Sequence, residues 1–413
     1  MIKVFNFKTN KIFLLSLMCL SLILSNLSFA LWPIYLIEFR DLWNLSNTDV
    51  GWISGSYFIG YLLLTPVYVG LTDKYDPKWI VVIASFSVSF GCLGLWFFAE
   101  GFWSTCFLWG IVGSGLAGTY MPGLQVLNSR LNMNDRVKLT PWYTSSFGIS
   151  NGISFAVVGY IFSNFSWQLA CYATAITSAL SGILVLILIS TQNQEKCITN
   201  RKFFDLRPAF KNKEALGYIL SYGTHTYELF AYRAWIFTFL IWASLKAPNS
   251  ISSDFLSLVI GIIMFLGMIS SLIGAKFCLD YGRKRVLMII GGSTFLFSII
   301  CALSMSFSLW IIILLIGLYH FFIMLDSGAL TAGTVSASND SERGAILAVH
   351  SIIGFSGGAI AGPIIGAVLD LNGGTDNPSA WQFAFITMGL GSFLVFIIQY
   401  RSILSNKMRS KIN

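Results

Sequence analysis

The sequence predicts an all-α membrane protein whose twelve transmembrane helices form two parallel six-helix repeats, with both termini on the cytoplasmic side. Three observations predict it. Of the 413 residues, 55% are apolar and only 11% are Asp, Glu, Lys or Arg, against roughly 25% charged in a soluble domain, which excludes a water-soluble enzyme. The apolar residues gather into runs at 12–38, 49–71, 79–99, 103–128, 141–163, 168–190, 214–245, 255–279, 286–306, 309–333, 344–369 and 381–401, each near or above the roughly 20 residues that cross a bilayer. Finally, short motifs recur half a chain apart.

The runs are separated by turn and charge signals, among them Asp76-Pro77-Lys78, Asn134-Asp135-Arg136, the stretch from Asn339 to Arg343, and Leu371 to Ser379. The first 30 residues, with Lys3, Lys8 and Lys11, the start of the first run and then Ser28-Phe29-Ala30, imitate a cleavable signal peptide whose apolar core would be this run. It is too long for such a core and is needed as the first helix of its repeat, so it is expected to be retained. The polar segment 191–213 carries Lys196, Arg201, Lys202, Arg207, Lys211 and Lys213. It divides the chain into an N-terminal bundle, 1–190, a cytoplasmic linker, 191–213, and a C-terminal bundle, 214–413, with a short basic tail. With the N-terminus inside, all but four of the 26 Lys and Arg fall in cytoplasmic segments, as positive charge retained during insertion requires. The exceptions are Arg40 and Lys246 outside, and Arg233 and Lys276 within helices. The net charge of +8 is thereby spent on loops facing anionic lipid, not on nucleic acid. Six of the seven cysteines lie in apolar runs and only Cys197 in a polar one; they read as packing residues, without disulfide or zinc spacing.

The two halves correspond. Asp73 in VGLTDKYDPK matches Asp280 in KFCLDYGRKR; Trp167-Gln168-Leu169-Ala170 recurs as Trp381-Gln382-Phe383-Ala384, and Asp135-Arg136 as Glu342-Arg343. An even number of helices per copy gives both copies the same orientation. On these motifs the sequence resembles the major facilitator superfamily over essentially its whole length. The family's loop G-x-x-x-D-R/K-x-G-R-R/K between helices 2 and 3 is kept at Asp73, Lys74 and Lys78, with Val69, Asp76 and Pro77 at variant positions. Its second copy keeps Asp280, Gly282, Arg283 and Lys284 but lacks one residue after the Asp. The resemblance implies twelve helices, a substrate site between the halves near the midplane, and a conformational latch at Asp73, Lys74, Asp280 and Arg283, a carboxylate meeting the N-terminal amides of a helix in the other half. GLAGTYMPGLQ, YGTHTYELFAYRAWIFTFL, MLDSGALTAGT and RGAILAVHS are similar to a less characterised bacterial branch, distantly related to cyanate and nitrate carriers.

An ionisable residue inside a membrane costs several kcal/mol unless it meets water or a partner, and the second half carries such residues on two helices. Helix 7 holds His225, Glu228 and Arg233, and helix 10 holds His320 and Asp326. His225 and Glu228, three residues apart, share a face. The family lines its cavity with helices 1, 4, 7 and 10, which implies substrate contacts at Arg233, His225, Tyr232, Tyr120 and Asn26. Glu228, Asp326 and His320 are the candidates for proton coupling. The plain alternative pairs Glu228 with Arg233 or Asp326 as a structural ion pair. Trp32, Trp142 and Tyr143 are further aromatic candidates, and Pro122 is expected to free a backbone carbonyl in helix 4. His350 reads as a packing or gating residue near the cytoplasmic end of helix 11.

Two motifs mislead. Gly358-x-x-x-Gly362-Pro363 sits in helix 11, not in helix 5 where the family's antiporters carry theirs, and close helix packing through small residues explains it. Gly354-Phe355-Ser356-Gly357 imitates an intramembrane serine protease, but no histidine follows Ser356, and H-E-x-x-H is absent. The expectation is therefore a monomeric inner-membrane secondary transporter, without cofactor, metal or nucleic-acid partner. It would take up a small anionic solute such as an organic acid or a carboxylate-type metal chelator, proton-coupled, with export of drugs or metabolites as the alternative.

Overall fold

The computed structural model describes residues 10–192, 206–339 and 342–412. In chain order its helices are α1 (Lys11–Asn26), α2 (Leu31–Leu42), α3 (Asn47–Thr72), α4 (Pro77–Phe98), α5 (Phe102–Arg130), α6 (Met133–Asn164), α7 (Trp167–Leu188) and α8 (Arg207–Lys211). They continue with α9 (Lys213–Lys246), α10 (Ser253–Tyr281), α11 (Arg283–Leu303), α12 (Leu309–Leu325), α13 (Ser327–Ser336), α14 (Arg343–Leu371) and α15 (Pro378–Ile412). Eleven helical stretches among the described residues are long and apolar enough to cross a membrane, α1–α2 and α12–α13 each counting as one. The 29-residue α5 is not among them. Its buried side is built from Gly113, Ser114, Gly115, Gly118 and Thr119, so its low hydropathy reflects small residues that admit neighbouring backbones. A Cβ on Gly113 would strike the carbonyl of Tyr57, and one on Gly115 the Val88 side chain. Most of the expected linker, residues 193–205 with Cys197, lies outside the described residues; α8 fills its end, and α9 begins at its last residue, Lys213. The six described cysteines are free thiols.

Two predicted helices are broken. The first gives way to a 3₁₀ turn at Leu27–Ala30 before α2 resumes. Pro33 supplies the reason: it has no N–H, and its ring crowds the carbonyl of Phe29, four residues earlier. Ser154 of α6 covers the break, donating to Leu27 O at 2.7 Å and accepting from Ala30 N at 2.9 Å. Ser154→Ala should therefore cost about 1–3 kcal/mol, read as a lowered unfolding midpoint of the purified protein, and an unchanged midpoint would discount the role. The tenth predicted helix is interrupted at Asp326, between α12 and α13, where Gly328 N donates to Ser271 Oγ of α10 at 3.1 Å.

Contacts divide the chain into two compact units, Met1–Leu31 with Ser56–Thr199, and Trp32–Gly55 with Asn200–Asn413. In the first, α4 packs on α5 and α7, and α1 on α6 and α7, around Leu17, Met18, Leu22, Val126, Leu127, Tyr143 and Val185. In the second, α9 packs on α14 and α15, and α11 on α15. Its core is aromatic: Tyr232, Trp235, Phe237, Phe239, Tyr319, Trp381 and Phe385 are all sealed. The helices α9 and α14 meet through glycines, since a Cβ on Gly357 would collide with Gly223 O and one on Gly354 with the Tyr222 ring. The false protease motif is thus a packing surface.

Candidate functional site

The α9 helix is the most enclosed of the membrane-length helices. Of its most apolar window 89% is buried, against 39–61% for the other ten. That enclosure lets it carry ionisable groups at bilayer depth without exposing them to lipid. Three of the predicted residues, His225, Glu228 and Asp326, meet partners between α9 and its neighbours. His225 Nδ1 lies 2.7 Å from Asp326 Oδ1, both side chains nearly sealed at 2% and 4% exposure. The break between α12 and α13 positions that aspartate. Glu228 accepts from the Tyr319 hydroxyl of α12 at 2.6 Å and from Ser392 Oγ of α15. Its carboxylate is accommodated beside Gly391, where a Cβ would crowd it. Glu228 thus has two hydroxyl partners and Asp326 an imidazole, where the plain alternative paired Glu228 with Arg233 or Asp326.

Around this pair the unit adds aromatic rings. Tyr222 stacks on His225 at 5.9 Å between centroids and on His350 at 3.9 Å. His350 also bonds Thr334 Oγ1 through Nδ1 at 3.1 Å. His350, Tyr222, His225 and Asp326 therefore form one continuous string across α14, α9 and the α12–α13 break. Tyr232 is fully buried and donates to Ile316 O at 3.1 Å, with the His320 ring 5.1 Å away. His320 is itself sealed, and its ring fills the space left by Gly267. Arg233 is 6% exposed, its guanidinium 5.7 Å from the Phe230 ring centroid, a cation–π contact.

The first unit holds the other two candidates apart from charge. Asn26 donates to Ser150 Oγ and to Asn151 Oδ1, each at 2.7 Å, and is buried; α1 is thereby tied to α6 just before its break. Tyr120 is partly buried and packs against Tyr143 and Phe147. The Tyr143 hydroxyl donates to Thr119 O and Tyr120 O, 3.0 Å each, the two carbonyls that follow the Gly118 carbonyl from which Pro122 withholds an amide partner. Gly123 makes room for that hydroxyl. Trp142 is exposed.

Of the expected latch residues, Asp73, Lys74 and Asp280 are exposed. Arg283 donates to Ser336 Oγ of α13, and its neighbour Lys284 pairs with Glu214 at the start of α9 at 2.8 Å. Gly282 alone joins α10 to α11, at φ 89°, a left-handed conformation that favours glycine. Sequence reasoning missed the buried group in the first copy of this loop. Asp76, read as a turn residue, caps α4 through Lys78 N and forms an ion pair with Arg130 Nη2 at 2.6 Å. It also accepts from Gln192 N at 2.7 Å. The signal available was Asp-Pro, an N-cap followed by proline at N1.

Long apolar helices, a duplicated motif set and ionisable groups enclosed at bilayer depth define a multi-pass membrane carrier. The chain belongs to the Major Facilitator Superfamily, whose family model matches residues 14–245 and again 215–408, and it is accordingly a transporter, not an enzyme. No curated protein matches it by sequence. Solved structures of the same fold include the nucleoside transporter NupG, at 18% identity and TM-score 0.70, covering 93% of this chain and 98% of that one. Another is a bacterial homologue of the human lysosomal transporter Spinster, in an inward-facing and occupied conformation, at 11% identity and TM-score 0.75, covering 94% and 96%.

Proposed function

We propose that the protein is a secondary active transporter that takes up a small polar, anionic solute across the inner membrane by alternating access, in symport with protons. The observation that carries this reading is the enclosed triad of ionisable groups on α9. Arg233 offers a planar cationic fork to a carboxylate or similar anion. Glu228 is the proton carrier: Tyr and Ser hydroxyls both donate and accept, so its network is satisfied with or without the carboxyl proton. Asp326 with His225 is the second proton-handling pair, and His320 and Tyr232 line the same part of the unit. Tyr120 and Asn26 serve the solute from the first repeat. Asp73, Lys74, Asp280 and Arg283 set the inward–outward balance at the cytoplasmic face. In this reading α5 is the twelfth span, both termini are cytoplasmic, the bundles are 1–190 and 214–413 with 191–213 linking them, and the monomer is the working unit.

A neutral solute bearing a planar ring is the second reading. It is favoured because His225 and two hydroxyls already satisfy the two carboxylates, beside the stacked rings of Tyr222 and His350. NupG, of the same fold, is a nucleoside transporter. Binding to the purified protein across carboxylates, nucleosides and lipophilic cations separates the readings. Carboxylate binding weakened by about tenfold or more in Arg233→Gln, the loss of one charge-assisted contact, supports the anion. Nucleoside binding indifferent to that substitution supports the second reading, and binding of cations alone makes the protein an exporter.

A further inference from the structure

Glu228 is 1% exposed, so a proton that it carries has to reach water through the protein. Its two hydroxyl partners lead in different directions. The Tyr319 ring meets Tyr232 and Phe385 edge-on, at 5.8 and 6.2 Å between centroids, and all three are sealed. That side ends in the aromatic core. Ser392 lies on α15, and from it the seam between α9 and α15 continues with polar side chains.

A second buried polar pair crosses this seam. Gln399 of α15 donates from Nε2 to Ser221 Oγ of α9 at 2.9 Å. On each helix the pair lies seven residues from Glu228 and Ser392, in opposite chain directions. The two helices therefore run antiparallel, and the two pairs share one face about 10 Å apart along it. Thr224 stands between them on α9, its hydroxyl bonded back to Ser221 O at 3.0 Å. A Cβ on Gly391 would strike Thr224 O and crowd Glu228, so glycine brings the backbones together where the carboxylate sits. One atom of the outer pair is left over: Gln399 Oε1 is sealed and has no hydrogen-bond partner among the described residues. A buried amide oxygen without a donor is costly and calls for an explanation. Beyond Ser221, a Cβ on Gly217 would meet nothing and Glu214 is exposed, so the seam reaches the end of the unit at which α9 begins.

We propose that the α9–α15 seam is the proton route of Glu228, with Ser392 as its inner relay and Gln399 with Ser221 as the outer station that binds water between the carboxyl and the start of α9. The proposal rests on the reading of Glu228 as the proton carrier. In each passage one O–H bond breaks for each that forms. The carboxyl proton goes to the Ser392 oxygen, the Ser392 hydroxyl gives its own proton to water in the seam, and the carboxylate remains. A hydroxyl does this because it both donates and accepts. The Gln399 amide does not titrate, and its part is to hold the water through Oε1. The other ionisable groups of the region are His225 and Asp326, paired with each other, Arg233, and the phenols of Tyr227 and Tyr319, which donate to Thr387 O and to Glu228.

The C=O stretch of a protonated carboxyl shifts when its hydrogen is replaced by deuterium. Infrared spectroscopy after transfer of the purified protein into deuterated buffer therefore times the access of water to Glu228, and no solute is needed. The band is assigned by its loss in Glu228→Gln and followed at a pH where it is present. In Gln399→Met, which keeps the length and removes the amide, the shift should be slowed by about tenfold, the rate equivalent of one hydrogen bond to the relaying water. Ser221→Ala, a smaller change that covers poor folding of the first variant, should slow it as well. A merely structural clamp gives the opposite sign, since its loss would loosen the seam and admit water. Unchanged or accelerated exchange in Gln399→Met, or in Ser221→Ala where the first does not fold, overturns the route and leaves Glu228 as the carrier. A Glu228 band absent at every pH at which the protein stays folded overturns Glu228 as the carrier, and with it both the route and that part of the proposed function.

Discussion

Glu228→Gln should abolish proton-driven accumulation while leaving the protein folded. Glutamine keeps the shape of the side chain and both contacts, its carbonyl accepting from Tyr319 and its amide donating to Ser392. Packing against Gly391 is unaltered. What is lost is the ability to carry a proton. With one proton per solute, a pH difference of one unit sustains about a tenfold gradient of a neutral solute, and for any charge type the pH-driven component should fall to unity in the variant. Exchange of labelled for unlabelled solute, which needs no net proton movement, should persist. Accumulation in reconstituted vesicles, with and without an imposed pH gradient and with sodium omitted, checks this. A variant that still accumulates solute from a pH gradient alone would remove Glu228 from the coupling role and move it to Asp326 and His225. Accumulation driven by sodium and indifferent to pH would defeat proton coupling altogether.

Arg130→Ala should destabilise the protein by about 3–5 kcal/mol, the usual penalty for leaving one partner of a buried ion pair alone. Asp76 and Arg130 are 2% and 8% exposed at the side chain. Arg130 also reaches Ser190 O at 3.0 Å, so the pair ties the α3–α4 turn and the end of α5 to the chain leaving α7. Lys78 lies close by, its ammonium donating to Ile189 O, and its charge should hold the loss toward the lower end of the range. Adding Asp76→Asn to Arg130→Ala should recover part of it, because asparagine can still cap α4 and the lone carboxylate is gone, while the Lys78 ammonium keeps its bond to Ile189 O. Denaturant unfolding of the purified single and double variants measures both effects. A single variant within about 0.5 kcal/mol of the parent would show that the pair is solvated and of little energetic consequence.

How much of this was legible beforehand differs between fold and site. The positions of the long helices follow from the apolar runs and the turn and charge signals between them, since a helix satisfies its own backbone in lipid. The breaks at Leu27–Ala30 and Asp326 did not emerge, although Pro33 carried the first in plain view. Proline near the start of a helix is harmless, and only the position of that start, hidden inside a longer apolar run, turns Pro33 into a breaker. In the site, His225, Glu228, Arg233, His320 and Asp326 stood out because charge is rare at bilayer depth. Their partners did not. Tyr319 is 91 residues from Glu228 and Ser392 is 164 residues away, and hydroxyl residues are common in membrane helices. The pair of Gln399 and Ser221 was invisible for the same reason: the two lie 178 residues apart, and neither side chain marks a site by itself.

The sequence by itself determined that the chain is a multi-pass membrane protein, where its helices lie, that its two halves are copies, and that its ionisable load sits on α9 and the α12–α13 pair. These properties depend on composition and order along the chain, which the bilayer reads directly. Tertiary structure alone decided that Asp326 belongs to His225, that Glu228 belongs to two hydroxyls, and that Trp32–Gly55 packs with the second repeat. The physical reason is that these helices are apolar on nearly every face, so hydropathy does not specify their rotation or axial offset. Those are set by where glycines let backbones approach, as between Gly223 and Gly357 or Gly51 and Gly362, and each choice of rotation assigns a different partner to every buried polar side chain.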